Sequence, residues 1–481
     1  MNEKSIPRSA LHLPPLPDET AVRAALARAR ALVDRKILVL DDDPTGIQTV
    51  YDVPVYTDWS QETLRRTLCE AGSLAFILTN SRGMTAPETA AVHTEIARHL
   101  AAAAEETGRR FLLVSRSDST LRGHYPLETS VLRRELQARL GCRYDGEILM
   151  PYFREGGRLT VGNVHYVETG ELLVPAGQTE FARDTTFAYT SSDLTEWCAE
   201  RTGAAYPAES VVTVSLEELR SLNYDGITRK LLSVHDFGKV VVNAADDRDV
   251  EVFAAALFRA IAGGREFLFR CAAGLVRVLG GVEHRPLLTR SQACPDCPDR
   301  GGVGGLVIVG SHVEKTTRQL QCLLENVPET EGICFDASGA LRPGGLAAEE
   351  NRVTLAAEAA VRAGRTAVVY TSRKVLRVDS GSSEENLDLS VRISGAVTAV
   401  AAHIGVRPAF LVAKGGITSS DVGIRALGVR RAWVLGQIAP GVPVWRTGEE
   451  SRFPGLGYVI FPGNVGDVQT LKDVVLVLLG H

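Results

Sequence analysis

The sequence predicts an α/β protein of two domains, each built on a largely parallel sheet flanked by helices. The chain has 481 residues, about three times the usual length of one domain. Short runs of β-branched residues alternate with longer amphipathic stretches, which is typical of βαβ units. The segment 291–305 is rich in Pro, Gly and Ser and has no periodicity, so it is predicted to link two such series.

These runs give the predicted elements in chain order. The strands are predicted at 37–40, 74–79, 111–115, 147–150, 239–243, 306–310, 366–370, 410–413, 432–435 and 458–461. The helices are predicted at 20–33, 87–106, 126–139, 249–262, 315–326, 347–363, 389–403 and 468–479. The boundary falls near 290, which gives an N-terminal extension and helix at 1–34, one domain at 35–290 and a second at 306–481. Surface loops are predicted at 379–385 and 447–455.

Composition and charge exclude several classes of function. Hydrophobic residues make up 45% of the chain and charged residues 23%, as in ordinary globular proteins. The net charge of −5 provides no broad basic surface, which argues against nucleic acid or a membrane surface as the main partner. No apolar run resembles a secretory signal or approaches the roughly 20 residues of a membrane span. We therefore expect a cytoplasmic protein.

The eight cysteines are scattered along the chain, which indicates reduced thiols rather than a disulfide framework. Cys294 and Cys297 are the one pair with the spacing of metal ligands. A zinc site needs about four ligands, and no second pair follows at a suitable distance. The alternative is a loop that carries two thiols, and no metal ligand is predicted.

Three carboxylates follow the first predicted strand. Asp41, Asp42 and Asp43 stand there with Thr45 and Gly46. Like charges packed this closely cost free energy unless a cation, a hydrogen-bonding substrate or a shared proton compensates. The cluster therefore predicts a functional site at the carboxyl end of the strand. A solvated acidic turn that caps a helix is the alternative.

The next two strands also end in polar segments. Arginine binds a carboxylate through a planar fork, and hydroxyl and carboxylate groups can hold the hydroxyls of a sugar. These segments therefore predict a site for a small polyhydroxylated anion, with candidates at Arg82, Arg116, Ser117, Asp118, Ser119 and Arg122. For Asp118, the cap of a following helix is the alternative. Two interpretations of Arg183 and Asp184 remain open, a loop that closes over this site and an ordinary surface ion pair.

The second half of the chain has glycine-rich turns after three of its strands. Glycine lets backbone N–H groups approach phosphate oxygens, and the N-terminus of a helix favours an anion. The turns contain neither a Walker A nor a Rossmann motif, and glycine is also common in tight turns that bind nothing. Together they predict a nucleotide site, with candidates at Ser311, Gly415, Gly416, Ile417, Thr418, Gly463, Asn464 and Gly466.

In this order and combination, the motifs resemble those of the four-carbon acid sugar kinase family. The family includes 3-oxo-tetronate and D-threonate kinases and was once known only as a domain of unknown function. The resemblance runs from about Arg35 to the C-terminus. It rests on DDPTG at 42–46, SR at 81–82, DSTLRG at 118–123, GS at 310–311, TTRQL at 316–320, GGITSS at 415–420, GQIAPGVP at 436–443 and GNVG at 463–466.

The resemblance implies that the first domain binds the acid sugar and the second binds ATP. It implies phosphorylation of the sugar's terminal hydroxyl in the cleft between the domains. Implied substrate contacts are Asp42, Arg82 and residues 116–119, and implied ATP contacts lie at residues 311 and 415–418 and at the glycines of 463–466. Members often have Lys-Ile where this chain has Arg116-Ser117, and the run of three aspartates before Pro44 is not the usual spelling. These departures leave the exact substrate open.

A kinase needs a group that accepts the proton of the attacked hydroxyl. The candidate base is Asp42 or Asp43, with Asp118 as the alternative, and Mg²⁺ is expected to enter with ATP on its phosphate oxygens. Arg82, Arg116 and Arg122 are candidates to hold the substrate carboxylate or the moving phosphoryl group. The expected partners are a sugar acid and ATP, and a homodimer is compatible with the sequence.

Two other classes of protein remain as alternatives. A non-catalytic sensor of sugar acids would use the same arginines and glycines without consuming ATP. A hydrolase would need a nucleophile beside His124 or His312, but no GxSxG or Cys-His signature accompanies either histidine.

Overall fold

Apolar β-branched runs form buried strands in both halves of the chain. The computed structural model describes residues 4–295, 302–310, 313–372, 383–463 and 465–481. The strands are β1 (Ile6–Pro7), β2 (Lys36–Asp41), β3 (Val53–Tyr56), β4 (Leu74–Leu78), β5 (Phe111–Arg116), β6 (Gly146–Met150), β7 (Arg158–Val161), β8 (Val164–Thr169), β9 (Leu172–Pro175), β10 (Val212–Val214), β11 (Gly238–Val242), β12 (Phe267–Cys271), β13 (Leu306–Val309), β14 (Thr330–Phe335), β15 (Thr366–Thr371), β16 (Leu411–Lys414), β17 (Arg431–Ala439), β18 (Val442–Thr447) and β19 (Gly457–Phe461).

The helices follow from amphipathic runs with clear start and stop signals. The longest helix in the described ranges starts at a capping box between Thr85 and Glu88 and ends at Gly108, which has a φ of +63°. The helices are α1 (Glu19–Arg30), α2 (Gln61–Cys69), α3 (Ala86–Thr107), α4 (Leu127–Leu140), α5 (Leu194–Arg201), α6 (Leu216–Arg220), α7 (Tyr224–Ser233), α8 (Asp247–Ala262), α9 (Ala273–Gly280), α10 (Arg290–Ala293), α11 (Glu314–Asn326), α12 (Gly345–Arg362), α13 (Ser383–His403), α14 (Gly416–Asp421) and α15 (Thr470–Leu479). No helix in the described ranges is long and apolar enough to cross a membrane.

The first of two structural units contains Met1–Gly46 and Asp58–Glu283. Its main sheet has the strand order β10-β11-β6-β12-β5-β2-β4, and all of its pairs are parallel. A separate antiparallel sheet has the order β1-β9-β8-β7. Because β5, β2 and β4 are neighbours, the residues at their carboxyl ends lie at the same edge of the main sheet.

The second unit contains Ile47–Thr57 and His284–His481. Its strands follow the order β3-β17-β18-β19-β16-β13-β15-β14. The pairs from β19 to β14 are parallel, and β3, β17 and β18 extend the sheet with antiparallel pairs. The two-unit α/β architecture with largely parallel sheets confirms the predicted fold class.

Each predicted strand and helix overlaps an observed one, but several elements were not predicted. The strands β1, β3, β7, β8, β9, β10, β12, β14 and β18 are additional, as are the helices α2, α5, α6, α7, α9, α10 and α14. Many of these are short, and β3 and β12 are interrupted by Pro54 and Arg270, which hides their apolar pattern. The loop predicted at 379–385 lies partly outside the described residues, and its last three residues belong to α13.

The division into units differs from the predicted boundaries. The strand β3 belongs to the second unit because it pairs with β17, although the sequence assigns it to the first domain. Within the predicted linker, α10 is followed by the buried Cys294, and Ala293 and Cys294 pack in the core of the second unit. The predicted N-terminal extension contributes β1 to the antiparallel sheet and α1 to the first unit.

Candidate functional site

The acidic turn at the end of β2 is buried. Asp41 is 1% exposed and Asp42 is 4% exposed, which rules out the alternative of a solvated turn. The Thr45 backbone N–H donates to Oδ1 of Asp43 at 2.8 Å. At Gly46, a Cβ atom would fall about 2.0 Å from Asp41 Oδ2, so this position has no room for a side chain. The turn therefore holds the buried carboxylates of Asp41 and Asp42 next to the partly exposed carboxylate of Asp43.

Arg82 lies just beyond β4 and binds two of these carboxylates. Its Nη2 donates to Asp42 Oδ1 at 2.6 Å and its Nε to Asp42 Oδ2 at 3.1 Å, which is a bidentate pair. Its Nη1 donates to Asp43 Oδ2 at 3.2 Å and lies 3.9 Å from Asp118 Oδ1. A single guanidinium thus contacts all three residues predicted as candidate bases.

Arg116, the last residue of β5, adds a second cation. Its Nη1 donates to Asp41 Oδ1 at 3.1 Å and lies 3.7 Å from Asp42 Oδ1. Its Nε is buried without a hydrogen-bond partner among the described residues, and so is Asp41 Oδ2. We call Asp41, Asp42, Asp43, Arg82, Arg116, Asp118 and Arg122 the Asp–Arg cluster.

Asp118 and Arg122 complete the cluster from the loop after β5. Arg122 Nε donates to Asp118 Oδ2 at 2.8 Å, and the Thr120 hydroxyl donates to the same oxygen. The next helix, α4, begins at Leu127 after Pro126, so the alternative of Asp118 as a helix cap is wrong. Asp184 Oδ2 lies 3.6 Å from Arg122 Nη1, which connects the cluster to the segment that carries Arg183 and Asp184.

The pKa values of two aspartates in the cluster are raised, and those of the other two are lowered. Burial raises the pKa of Asp41 to about 7 and also raises that of Asp42, although Arg116 and Arg82 oppose these shifts. Burial acts in the same direction on Asp43 and Asp118, but Arg82 and hydrogen bonds outweigh it and lower both pKa values. Asp42 is therefore the member of the three candidates whose basicity is increased.

Glu128 of α4 lies behind the cluster and was not predicted. Its carboxylate accepts from the hydroxyls of Ser81 at 2.6 Å, Ser115 at 3.4 Å and Ser117 at 3.5 Å. These bonds join the ends of β4 and β5 to the first turn of α4. Ser119 contributes its backbone carbonyl, which lies 2.8 Å from Nε2 of His165. Ser117 and Ser119 thus take part in hydrogen bonds that support the loop after β5, and their contact with substrate stays a prediction.

Arg270 of β12 was also not predicted. It is 2% exposed, its Nη2 donates to the backbone carbonyl of Arg122 at 3.0 Å, and its Nε and Nη1 have no hydrogen-bond partner among the described residues. Burial lowers the pKa of Arg270, while Asp118 and Asp42 favour its charged form. It therefore adds positive charge below the loop that carries Asp118.

The raised pKa of Asp41 predicts a pH-dependent stability difference between the protein and its Asp41→Asn variant. A carboxyl whose pKa is higher when folded stabilises the fold below its unfolded pKa, and this contribution is lost as pH rises through about 7. We expect melting temperatures measured from pH 5 to 8 to fall more steeply for the wild type than for Asp41→Asn. Parallel curves would mean that Asp41 titrates as it does in the unfolded chain.

The predicted nucleotide turns follow neighbouring strands of the second unit, in the order β19-β16-β13. Gly415 has a φ of +124°, which favours glycine, and Gly416 begins α14. At Gly310, a Cβ atom would lie about 2.3 Å from Thr418 Oγ1, so the turns after β13 and β16 pack directly against each other. Ile417 is 75% exposed, whereas Thr418 is buried.

Several predicted residues lie outside the described part of the chain. These are Ser311 and Asn464 of the nucleotide candidates, together with His312 and Cys297. Cys294 is buried in the core of the second unit. Among the described residues, no group of three or more His, Cys, Asp or Glu side chains could hold a metal ion.

Two models of known protein families match the chain. Residues 37–279 match the family model of a sugar-binding N-terminal domain, and residues 306–471 match that of a nucleotide-binding C-terminal domain. No protein with a curated function matches the chain.

Three solved structures illustrate the similarity. A protein of Salmonella typhimurium LT2, described as a candidate tRNA synthase, aligns with a TM-score of 0.63 and 15% identity over 92% of this chain and 98% of that one. A Haemophilus influenzae protein of the family DUF1537 aligns with a TM-score of 0.60 and 17% identity over 92% and 100%. A Bordetella bronchiseptica DUF1537 protein, a domain-swapped dimer with bound citrate, has a TM-score of 0.37 and 21% identity over 92% and 98%.

The first two structures share the fold with this chain. Family membership rests on the two family models, which together match most of the sequence in the order of its two units. The chain belongs to the four-carbon acid sugar kinase family, formerly DUF1537.

Proposed function

We propose that the protein is an ATP-dependent kinase that phosphorylates the terminal hydroxyl of a four-carbon or branched acid sugar, such as a 3-oxo-tetronate, D-threonate or D-erythronate. The observation that carries the proposal is the largely buried Asp–Arg cluster at the carboxyl ends of three parallel strands in the sugar-binding domain. The match of the same chain to a nucleotide-binding domain supports the proposal, in which that domain binds ATP.

In this proposal Asp42 accepts the proton of the attacked hydroxyl. A base works best when its pKa approaches the working pH, and burial raises the pKa of Asp42 while those of Asp43 and Asp118 are lowered. Arg82 orients the Asp42 carboxylate through its bidentate pair. At Gly123, a Cβ atom would lie 3.4 Å from Asp42 Oδ2, so the missing side chain leaves space beside this oxygen.

The arginines of the cluster have a second role in the proposal, which is to compensate negative charge. Arg82 and Arg122 are the partly exposed cations, with side chains 20% and 23% exposed. They can face a substrate carboxylate or the moving phosphoryl group, and Arg116 is buried behind them. Phosphoryl transfer depends mainly on such positioning and charge compensation.

Mg²⁺ is proposed to arrive with ATP rather than at a site of its own. The carboxylates of the Asp–Arg cluster already bind arginines, and the described residues hold no group of three metal ligands. Phosphate oxygens and water are ligands that Mg²⁺ accepts readily. The metal would compensate phosphate charge during transfer.

The direct test is an activity screen. Incubation with Mg-ATP and a panel of tetronates, 3-oxo-tetronates and branched analogues should release ADP with at least one acid, and mass spectrometry should detect the phosphorylated product. Calorimetric binding of an acid from the panel without ADP release would contradict a kinase and favour a sensor.

The substitution Arg82→Lys tests the role of Arg82. Lysine keeps the charge but lacks the fork, so it cannot hold both oxygens of Asp42. We expect kcat/KM for the sugar acid to fall about 10- to 100-fold, because charge-assisted hydrogen bonds of this kind contribute roughly 1.5–3 kcal/mol each. The KM for ATP should change little.

A pH profile separates this role from general damage to the fold. Loss of the guanidinium should raise the pKa of Asp42 further, so the acidic limb of the profile should move to higher pH. Arg220→Lys is the matched control, because Arg220 forms a buried bidentate pair with Asp249 outside the cluster. An unchanged acidic limb in Arg82→Lys would exclude Arg82 as the residue that tunes Asp42.

A further inference from the structure

The loop after β19 is held by buried side chains from other elements. Lys414, at the end of β16, donates through Nζ to the carbonyl oxygens of Pro462 at 2.6 Å and Gly463 at 3.2 Å. The Thr316 hydroxyl on α11 also donates to the Gly463 carbonyl, at 3.3 Å. Both side chains are fully buried. Side chains of β16 and α11 therefore hold the start of the loop in place.

Gln319, one turn further along α11, holds the rest of the loop. Its Nε2 donates to the carbonyl oxygens of Val465 at 3.1 Å and Asp467 at 2.6 Å. Gln319 is fully buried, and its Oε1 has no hydrogen-bond partner among the described residues. An apolar side chain of the same size would avoid leaving this oxygen unpaired, so the role of the amide lies in the two bonds that it donates.

These bonds fix the direction of the loop's N–H groups. In a planar trans peptide, the C=O of one residue and the N–H of the next point in opposite directions. The bound carbonyls of Pro462, Val465 and Asp467 therefore turn the following N–H groups away from α11 and β16. Gly466 has a φ of +78°, a left-handed conformation of the kind that lets neighbouring N–H groups form a concave anion site.

The N–H groups turned in this way belong to Gly463, Gly466 and Val468. None of them donates to another protein group in the ranges that the structure describes. The loop lies beside the turns that carry Gly310 and Gly415, because β19, β16 and β13 are neighbours. These N–H groups therefore lie at the same edge of the sheet as the other glycine-rich turns.

We propose that Gln319 and Lys414 are positioning residues of the nucleotide site, which hold the loop's carbonyls inward so that the N–H groups of Gly463 and Gly466 face the phosphates of ATP. This inference rests on the proposed function. A carbonyl oxygen turned towards a phosphate would repel it, whereas an N–H group attracts it. Burial lowers the pKa of Lys414 to about 7, so the role of this residue lies in the two hydrogen bonds that its Nζ donates rather than in a fixed positive charge.

The test compares Gln319→Met with the wild type in calorimetric titrations. Methionine has nearly the same length but donates no hydrogen bond, so the Val465 and Asp467 peptides are free to rotate. We expect the Kd for ATP to rise at least about tenfold, while the Kd for the sugar acid stays within about twofold. The KM for ATP should rise likewise, with kcat at saturating ATP within about threefold of the wild type.

Two further variants make the result decisive. Gln321→Leu is the control, because Gln321 is an exposed residue of the same helix and should leave both Kd values unchanged. Lys414→Met removes the other two bonds and should weaken ATP in the same selective way, which provides a second test if Gln319→Met does not fold. Unchanged ATP affinity in a folded Gln319→Met or Lys414→Met variant would overturn the inference. A wild-type protein that binds no ATP would overturn the proposed function itself.

Discussion

The substitution Asp42→Asn is expected to lower kcat for the sugar acid by at least about 10²-fold, the usual contribution of a general base. Asparagine keeps the shape of the side chain and can still accept one hydrogen bond from Arg82, but it cannot take up a proton. The KM values for ATP and sugar acid should change much less, because the variant retains the arginines of the cluster. Initial rates at saturating concentrations of both substrates measure the effect.

The control for Asp42→Asn must likewise replace a buried carboxylate that forms an ion pair with an arginine. Asp249 is fully buried and accepts two hydrogen bonds from Arg220, at 2.9 and 3.0 Å, outside the Asp–Arg cluster. We expect Asp249→Asn to lower the melting temperature and leave kcat nearly unchanged. Near-normal kcat in a folded Asp42→Asn variant would exclude Asp42 as the base and leave Asp43 and Asp118 as candidates.

The meeting of Asp42 with Arg82 and Arg116 could be predicted from the sequence. Each residue follows or ends a short apolar run, and the carboxyl ends of neighbouring parallel strands share one edge of a sheet. The sequence could not predict which arginine binds which aspartate, because this depends on side-chain geometry. Arg82, predicted to hold the substrate carboxylate, uses its donors on Asp42 and Asp43.

Other parts of the site depend on long-range packing that local patterns do not contain. Arg270 reaches the loop after β5 because β12 inserts between β5 and β6 in the sheet, although more than 100 residues separate it from both in sequence. Glu128 contributes because one face of α4 packs against the ends of β4 and β5. In the second unit, the roles of Gln319 and Lys414 become visible only when their carbonyl partners are known. Strand order and helix orientation supply this information.

The substitution Gly416→Val is expected to abolish ATP binding. Gly416 is the first residue of α14 and follows Gly415, whose φ of +124° makes the tight turn after β16. If phosphates approach the backbone N–H groups here, a branched side chain at Gly416 would occupy space that the nucleotide needs. The proposed sugar-acid site lies in the other unit, so the affinity for the sugar acid should remain within about twofold, because separate sites usually respond independently.

Calorimetric titrations with ATP and with the sugar acid, each after a melting curve that confirms folding, measure both affinities of the Gly416→Val variant. Gly395→Val is the matched control, because Gly395 lies on an exposed position of α13 with nothing within 4 Å of an added Cβ atom. This control should bind both ligands normally. A folded Gly416→Val variant that keeps ATP but loses the sugar acid would reverse the assignment of ligands to units, because the change lies entirely within the second unit.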